Sequence, residues 1–150
     1  MACDFSVAPQ SLGPAFGSIK TWHWLGRGHT LWVTHDLNAY LAEVAARLER
    51  FPANVVIGWA DEHVLGDANY AHWATCFSPT RKNPVWYIGV SKALRRAPRY
   101  VLRWLVLHEC LHVRLPACAL SGVAHHYYFR QAERSHPDFL RANAWLSKHL

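Results

Sequence analysis

The chain has 150 residues and a formal charge of +6, from 16 Lys and Arg against 10 Asp and Glu. That length fits one domain, and the 51% of residues in the apolar set can supply its core. No apolar run reaches the roughly 18 residues of a helical membrane span, and the four cysteines contain no C-x-x-C pair, which excludes a zinc ribbon.

The positive charge permits binding to nucleic acid or another acidic partner without requiring it. Cys3, Cys76, Cys110 and Cys118 fall in unrelated segments and read as free thiols of a reducing compartment. The first eighteen residues carry Asp4 and no basic start, so they do not read as a secretory signal. A cytoplasmic location is the expectation.

Residues 1–20 hold Gly, Pro, Ser and Ala with little pattern and read as a flexible tail, leaving 21–150 as one domain. Residues 21–33 are dense in Trp and read as extended chain packed on the rest. An amphipathic helix is expected over 36–50, where Leu37, Tyr40, Leu41, Val44, Ala45 and Leu48 form one stripe. Thr34 or Asp36 can cap its start, and Pro52 follows its end. Three strands follow: a β-branched run at 54–60, a weaker one at 73–77 and a strong one at 85–90. The turn composition of 78–84 joins the last two in a hairpin. Pro98 suits the first turn of a helix running to about 113, with Pro116 beyond it. A second helix is expected over 121–134. A third starts at Pro137, with Ser135 as its cap, and reaches the C-terminus. The class is α+β.

The helix at 98–113 contains His108-Glu109-Cys110-Leu111-His112. Residues four apart share one helical face, so both imidazoles can bind a single metal ion. Glu109, directly after the first histidine, can reach a water at that ion without being a ligand itself. Val101, Leu105, His108 and His112 share one stripe, and Trp104, Leu107 and Leu111 form an adjacent one. The histidines therefore point into an apolar region, where unpaired imidazoles and a carboxylate are costly and a metal removes the cost. Chance places roughly 0.03 such motifs in a shuffled chain of this composition. The pattern is accordingly read as a site, in preference to hydrogen-bonded core histidines beside a buried ion pair.

Zinc takes a third protein ligand and keeps an open position when it is catalytic. The candidates are His125, His126, Glu133 and Cys118. On a helix over 121–134, His125 shares its apolar stripe with Tyr128, Phe129 and Ala132. His126 lies with Arg130 and Glu133 on a face that reads as solvated. His125 is the better aimed, and the other three stay open. Cys110 sits at a variable position of the motif, on the side of Arg99 and Arg103, and reads as packing.

The stretch Ile88-Gly89-Val90-Ser91-Lys92-Ala93-Leu94, followed by Val106-Leu107-His108-Glu109-Cys110-Leu111-His112-Val113, resembles the SprT-like and YgjP-like zinc metallopeptidases. Those families place a strand, a short leader and the H-E-x-x-H helix in this order, then a third histidine four residues before an aromatic. His125-His126-Tyr127-Tyr128-Phe129 fits that pattern with His125 as ligand. Pro137-Asp138-Phe139 and Trp145-Leu146 are similar to their C-terminal helix. The resemblance covers residues 36–150. It implies a minimal zincin-like α+β domain: an N-terminal helix, a three-stranded sheet, the H-E-x-x-H helix and C-terminal helices, with a metal cleft below the sheet. Two departures stand out. His126 follows the third histidine where many SprT-type proteins have Gly, and there is no cysteine-rich ribbon, which removes support for a DNA-directed role.

Motif and resemblance together imply peptide-bond hydrolysis with zinc held by His108, His112 and His125, and with Glu109 as general base and then general acid. Tyr127 or Tyr128 could hydrogen-bond the tetrahedral oxyanion, although ordinary packing is the favoured reading of both. An extended polypeptide substrate would add to the edge strand at 73–77. One alternative is a zinc amidohydrolase of deformylase type, whose upstream cysteine could here be only Cys3 or Cys76, neither in a suitable motif. Another is a zinc-containing nucleic-acid- or protein-binding module supported by Arg95, Arg96, Arg99, Arg103 and Arg114. Arg99 and Arg103, however, point roughly 140 to 180° away from His108 on the helical wheel. No membrane partner is expected, and no oligomeric state follows from the sequence.

Overall fold

The computed structural model describes residues 19–25, 29–61, 73–116 and 122–149; for 19–25 and 29–34 only the backbone is described. The elements run β1 (Ile19–Leu25), β2 (His29–His35), α1 (Leu37–Ala45), β3 (Val55–Ala60), β4 (Ala74–Phe77), β5 (Trp86–Ser91), a 3-10 turn (Lys92–Arg96), α2 (Arg99–Arg114), α3 (Tyr127–Arg134) and α4 (Phe139–Ser147). The class is α+β, with four helices and a three-stranded mixed sheet among the described residues. No helix among the described residues is long and apolar enough to cross a membrane.

β1 and β2 pair antiparallel from Ile19 opposite His35 to Leu25 opposite His29. This is the Trp-rich extended stretch, and it begins at Ile19, inside the segment expected to be tail. The larger sheet has the order β3-β5-β4. β4 and β5 form the expected antiparallel pair, with Cys76 opposite Ile88. β3 lies parallel to β5 on the other side, with Ile57 opposite Ile88 and Trp59 opposite Val90. Burial is continuous over the last four residues of both β3 and β5, as in strands covered on both faces. Ile88 and Val90 are fully buried at the centre.

α2 is the core helix. It packs against α1, α4 and β4, and it buries Val101, Leu102, Trp104, Leu105, Val106, Cys110, Leu111 and Val113. A helix apolar around most of its circumference has to lie inside the domain. α1 contributes Leu37, Tyr40 and Val44, spaced so that all three fall on one face. The Asp36 side chain caps α1 by accepting from the Ala39 backbone N–H at 3.1 Å. Arg103 on α2 forms an ion pair with Glu43 on α1, so one of the arginines offered for nucleic-acid binding is engaged by a neighbouring helix.

Helix ends differ from the sequence expectation in three places. α1 stops at Ala45 and gives way to turns, in which the Leu48 N–H is shared between the Val44 and Ala45 carbonyls. Arg50 then enters the left-handed region at φ 56° and sends the chain toward Pro52, which disfavours helix at the residue before it. The helix expected over 121–134 begins only at Tyr127, because Gly122 takes φ +67° and His126 is extended. α4 starts at Phe139 with Asp138 as its N-cap residue; the Ser135 hydroxyl instead donates to the Ala132 carbonyl at 2.7 Å. Cys3 and Cys118 lie outside the described residues.

Candidate metal centre

Two of the site histidines come from α2. His108 and His112 are one turn apart and half-buried, with ring centroids 5.1 Å apart. The third comes from the turn before α3. His125 is therefore not on a helix, and the stripe it was expected to share does not exist. Tyr128, a member of that stripe, is 68% exposed. His125 nevertheless joins the cluster, because Gly122 and the turn at 124–125 carry the chain back over α2. One ring nitrogen from each of His108, His112 and His125 lies within 4.8 Å of the others.

Phe129 holds this arrangement from below. It is fully buried, and its ring centroid lies 5.1, 4.7 and 4.7 Å from those of His108, His112 and His125. Trp104 closes the far side of His108 at 5.5 Å. These rings restrict the imidazole rotamers before any ion arrives.

The donor chemistry fits a metal. His112 Nε2 and His125 Nε2 stand 3.1 Å apart. Two ligands of a tetrahedral zinc, each at about 2.0–2.1 Å, would be separated by about 3.3–3.4 Å. Burial pushes the His112 pKa down to about 4, helped by His108 and His125 and opposed by Glu133. Burial likewise lowers that of His125, with His108 and Arg130 adding to it. Both side chains are thus neutral near pH 7 and carry lone pairs that a cation can use. Among the described residues the cluster offers three donors to such an ion.

Glu109 is 4% exposed. Burial raises its carboxyl to about 7, although neighbouring His108 works against the rise. A group poised there can both take and give a proton at neutral pH. Cys76 and Cys110 lie nearby and are inert by comparison. Burial and Glu109 push Cys76 up to about 12, and burial raises Cys110, which is fully enclosed.

Glu133 lies on the buried face of α3. Expected on a solvated face, it is 3% exposed, with Oε1 2.8 Å from His108 Nδ1 and Oε2 3.1 Å from Arg130 Nη1. Burial alone would raise its pKa, but the bonds from His108 and Arg130 outweigh that and hold it below the ordinary carboxylate value. The signal was present: Phe129 and Glu133 are four apart, so the buried face of α3 has to carry both. No protein-family model, curated protein or solved structure matches the chain.

His126 is the N-cap residue of α3, with its ring against Tyr128 at 6.2 Å, and it is not in the histidine cluster. Tyr127 and Tyr128 are 72% and 68% exposed, so neither is the packing residue it was expected to be. They lie edge to face at 5.5 Å, directly after the His125 turn. Among the described residues, the three histidines are the only group of three or more potential ligands, and Cys76 is not part of it.

Proposed function

We propose that the protein is a zinc-dependent metallopeptidase with a zincin-like fold. The observation that carries this reading is the convergence of His108, His112 and His125 beside a buried Glu109. These three imidazoles are the residues that would hold zinc. Zinc bound there supplies a Lewis acid that lowers the pKa of a water and polarises a carbonyl oxygen. Glu109 takes the proton of the attacking water on its carboxylate and passes it to the leaving nitrogen. Its burial beside the histidine cluster keeps it out of bulk water and directed at that transfer. Among the described residues β4 pairs only with β5, so its other edge can receive an extended peptide by backbone hydrogen bonding. A stretched polypeptide is the substrate class such an edge accepts.

The binding-module reading needs a closed zinc site, usually with four protein ligands, and three are present among the described residues. A deformylase-type site needs a cysteine ligand, and the cluster takes in none of the described cysteines.

The test compares zinc-loaded wild type with Glu109→Gln on a mixed peptide library read by mass spectrometry. Loss of the base should lower cleavage by roughly 10²- to 10⁴-fold while zinc content stays the same. Equal cleavage by both proteins, or none by the zinc-loaded wild type, would defeat the proposal.

A further inference from the structure

We infer that Glu133 is a positioning residue, which holds His108 with its proton on Nδ1 and so leaves Nε2 to the metal. The inference rests on the metal-site reading above and assigns a role to a residue outside the ligand set.

The geometry is specific. The Glu133 carboxylate has two oxygens, and each is engaged by a different partner. Oε1 accepts from His108 Nδ1 at 2.8 Å, and Oε2 accepts from Arg130 Nη1 at 3.1 Å. An imidazole bonded through Nδ1–H to a carboxylate is fixed in one tautomer, with the lone pair on Nε2. The carboxylate is also aligned, because Arg130, three residues before it on α3, grips its other oxygen. Glu133 is thereby occupied as a partner of a ligand, and the converging ring nitrogens come from three histidines without it.

Burial argues in the same direction. A carboxylate that is 3% exposed needs its His108 and Arg130 partners to offset desolvation, whereas an apolar side chain of similar size would need none. Phe129, on the same face of α3, already anchors that helix by packing. A second apolar residue at 133 would anchor it as well, so the charge has to serve something packing cannot. Three neutral imidazoles bring no charge to a dication. One carboxylate behind one of them supplies a compensating charge and makes that imidazole a better donor.

The experiment uses wild type, Glu133→Gln and Arg130→Ala, each first freed of metal by chelator. Zinc affinity is measured by competition with a chromophoric chelator, the His108 tautomer by ¹⁵N chemical shifts, and ligand identity by the visible spectrum of the Co²⁺-substituted protein. The inference expects metal-free wild-type His108 as the Nδ1–H form, and a tautomer mixture in Glu133→Gln. It expects zinc binding about 10-fold weaker in Glu133→Gln, a smaller loss in Arg130→Ala, and an unchanged Co²⁺ spectrum in both. Unchanged affinity with only the melting temperature lowered would reduce Glu133 to a staple between α2 and α3 and overturn the inference. A changed Co²⁺ spectrum in Glu133→Gln would make Glu133 a ligand and overturn it too. Should Glu133→Gln not fold, Glu133→Asp, which keeps the charge but shortens the reach, is read by the same measurements. Wild type that binds no metal at all would defeat the metal-site reading itself, and that result is obtained before any variant is examined.

Discussion

Glu109→Gln should make the metal-free protein more stable, by an amount that depends on pH. Burial lifts the Glu109 carboxyl from an ordinary 4.5 to about 7. A group raised in the folded state contributes its full stability below the unfolded value and loses it as pH climbs through the folded one. Below pH 4.5 the side chain is neutral in both states and costs nothing by charge. Above pH 7 the folded protein has to hold an ionised carboxylate in a site that is 4% exposed. At about 1.4 kcal/mol for each tenfold shift, the rise amounts to roughly 3 kcal/mol. Glutamine keeps the shape and carries no charge, so the variant should gain about that much at pH 8.5 and almost nothing at pH 4.5. For a domain of this size, roughly 2–4 °C accompanies each kcal/mol, which predicts a melting temperature about 6–12 °C higher at pH 8.5. The assay is thermal unfolding of both proteins in chelator across that pH range. A difference that does not change with pH, or a variant no more stable than wild type at pH 8.5, would refute the argument.

Metal analysis of purified wild type should find about one zinc per chain; His108→Ala and His112→Ala should lose it, and His125→Ala should lose far more than His126→Ala. Phe129→Ala removes the ring that touches all three histidines and should cost about 3–5 kcal/mol in a urea melt of the metal-free protein. The His112 pKa is lowered to about 4, so its contribution to the metal-free fold is present above pH 6.5 and disappears as pH falls toward 4; His112→Gln should flatten that part of the stability profile. Arg50→Gly relieves a left-handed backbone at φ 56° and should stabilise by about 0.5 kcal/mol in the same melt, since glycine regains there somewhat more than its extra chain entropy costs.

Local signals carried the parts of the fold that were legible in the sequence. Asp36 caps α1 as its position suggests, and Pro98 stands at the start of α2. The hairpin of β4 and β5 follows from a turn-rich stretch between two strand-like runs. The parallel pairing of β3 with β5 was not readable, because it joins segments separated by a whole strand and no local feature encodes it. The site divides in the same way. His108, Glu109 and His112 belong to one helix, where spacing alone puts them together. His125 was reached through a helix that does not extend that far, since one glycine at φ +67° has more influence on that segment than its apolar periodicity. The same error rotated the helical wheel and turned Glu133 outward, when Phe129 one turn earlier marks its face as buried.

The three clustered histidines are divided between the long buried helix α2 and a turn that leads into α3, a helix whose buried residues are only Phe129 and Glu133. His112 and His125 are 13 residues apart in the chain, so an ion bridging them closes a covalent-like loop of that size. By the chain-entropy argument used for disulfides, a cross-link over such a span restricts the unfolded chain by roughly 3 kcal/mol. The cation would thus act as a removable crosslink in a chain whose described cysteines, Cys76 and Cys110, are free. Chelation should then loosen the segment from Gly122 to Arg134 ahead of the rest, and hydrogen exchange should report it as the first amides to lose protection while those of α2 stay closed.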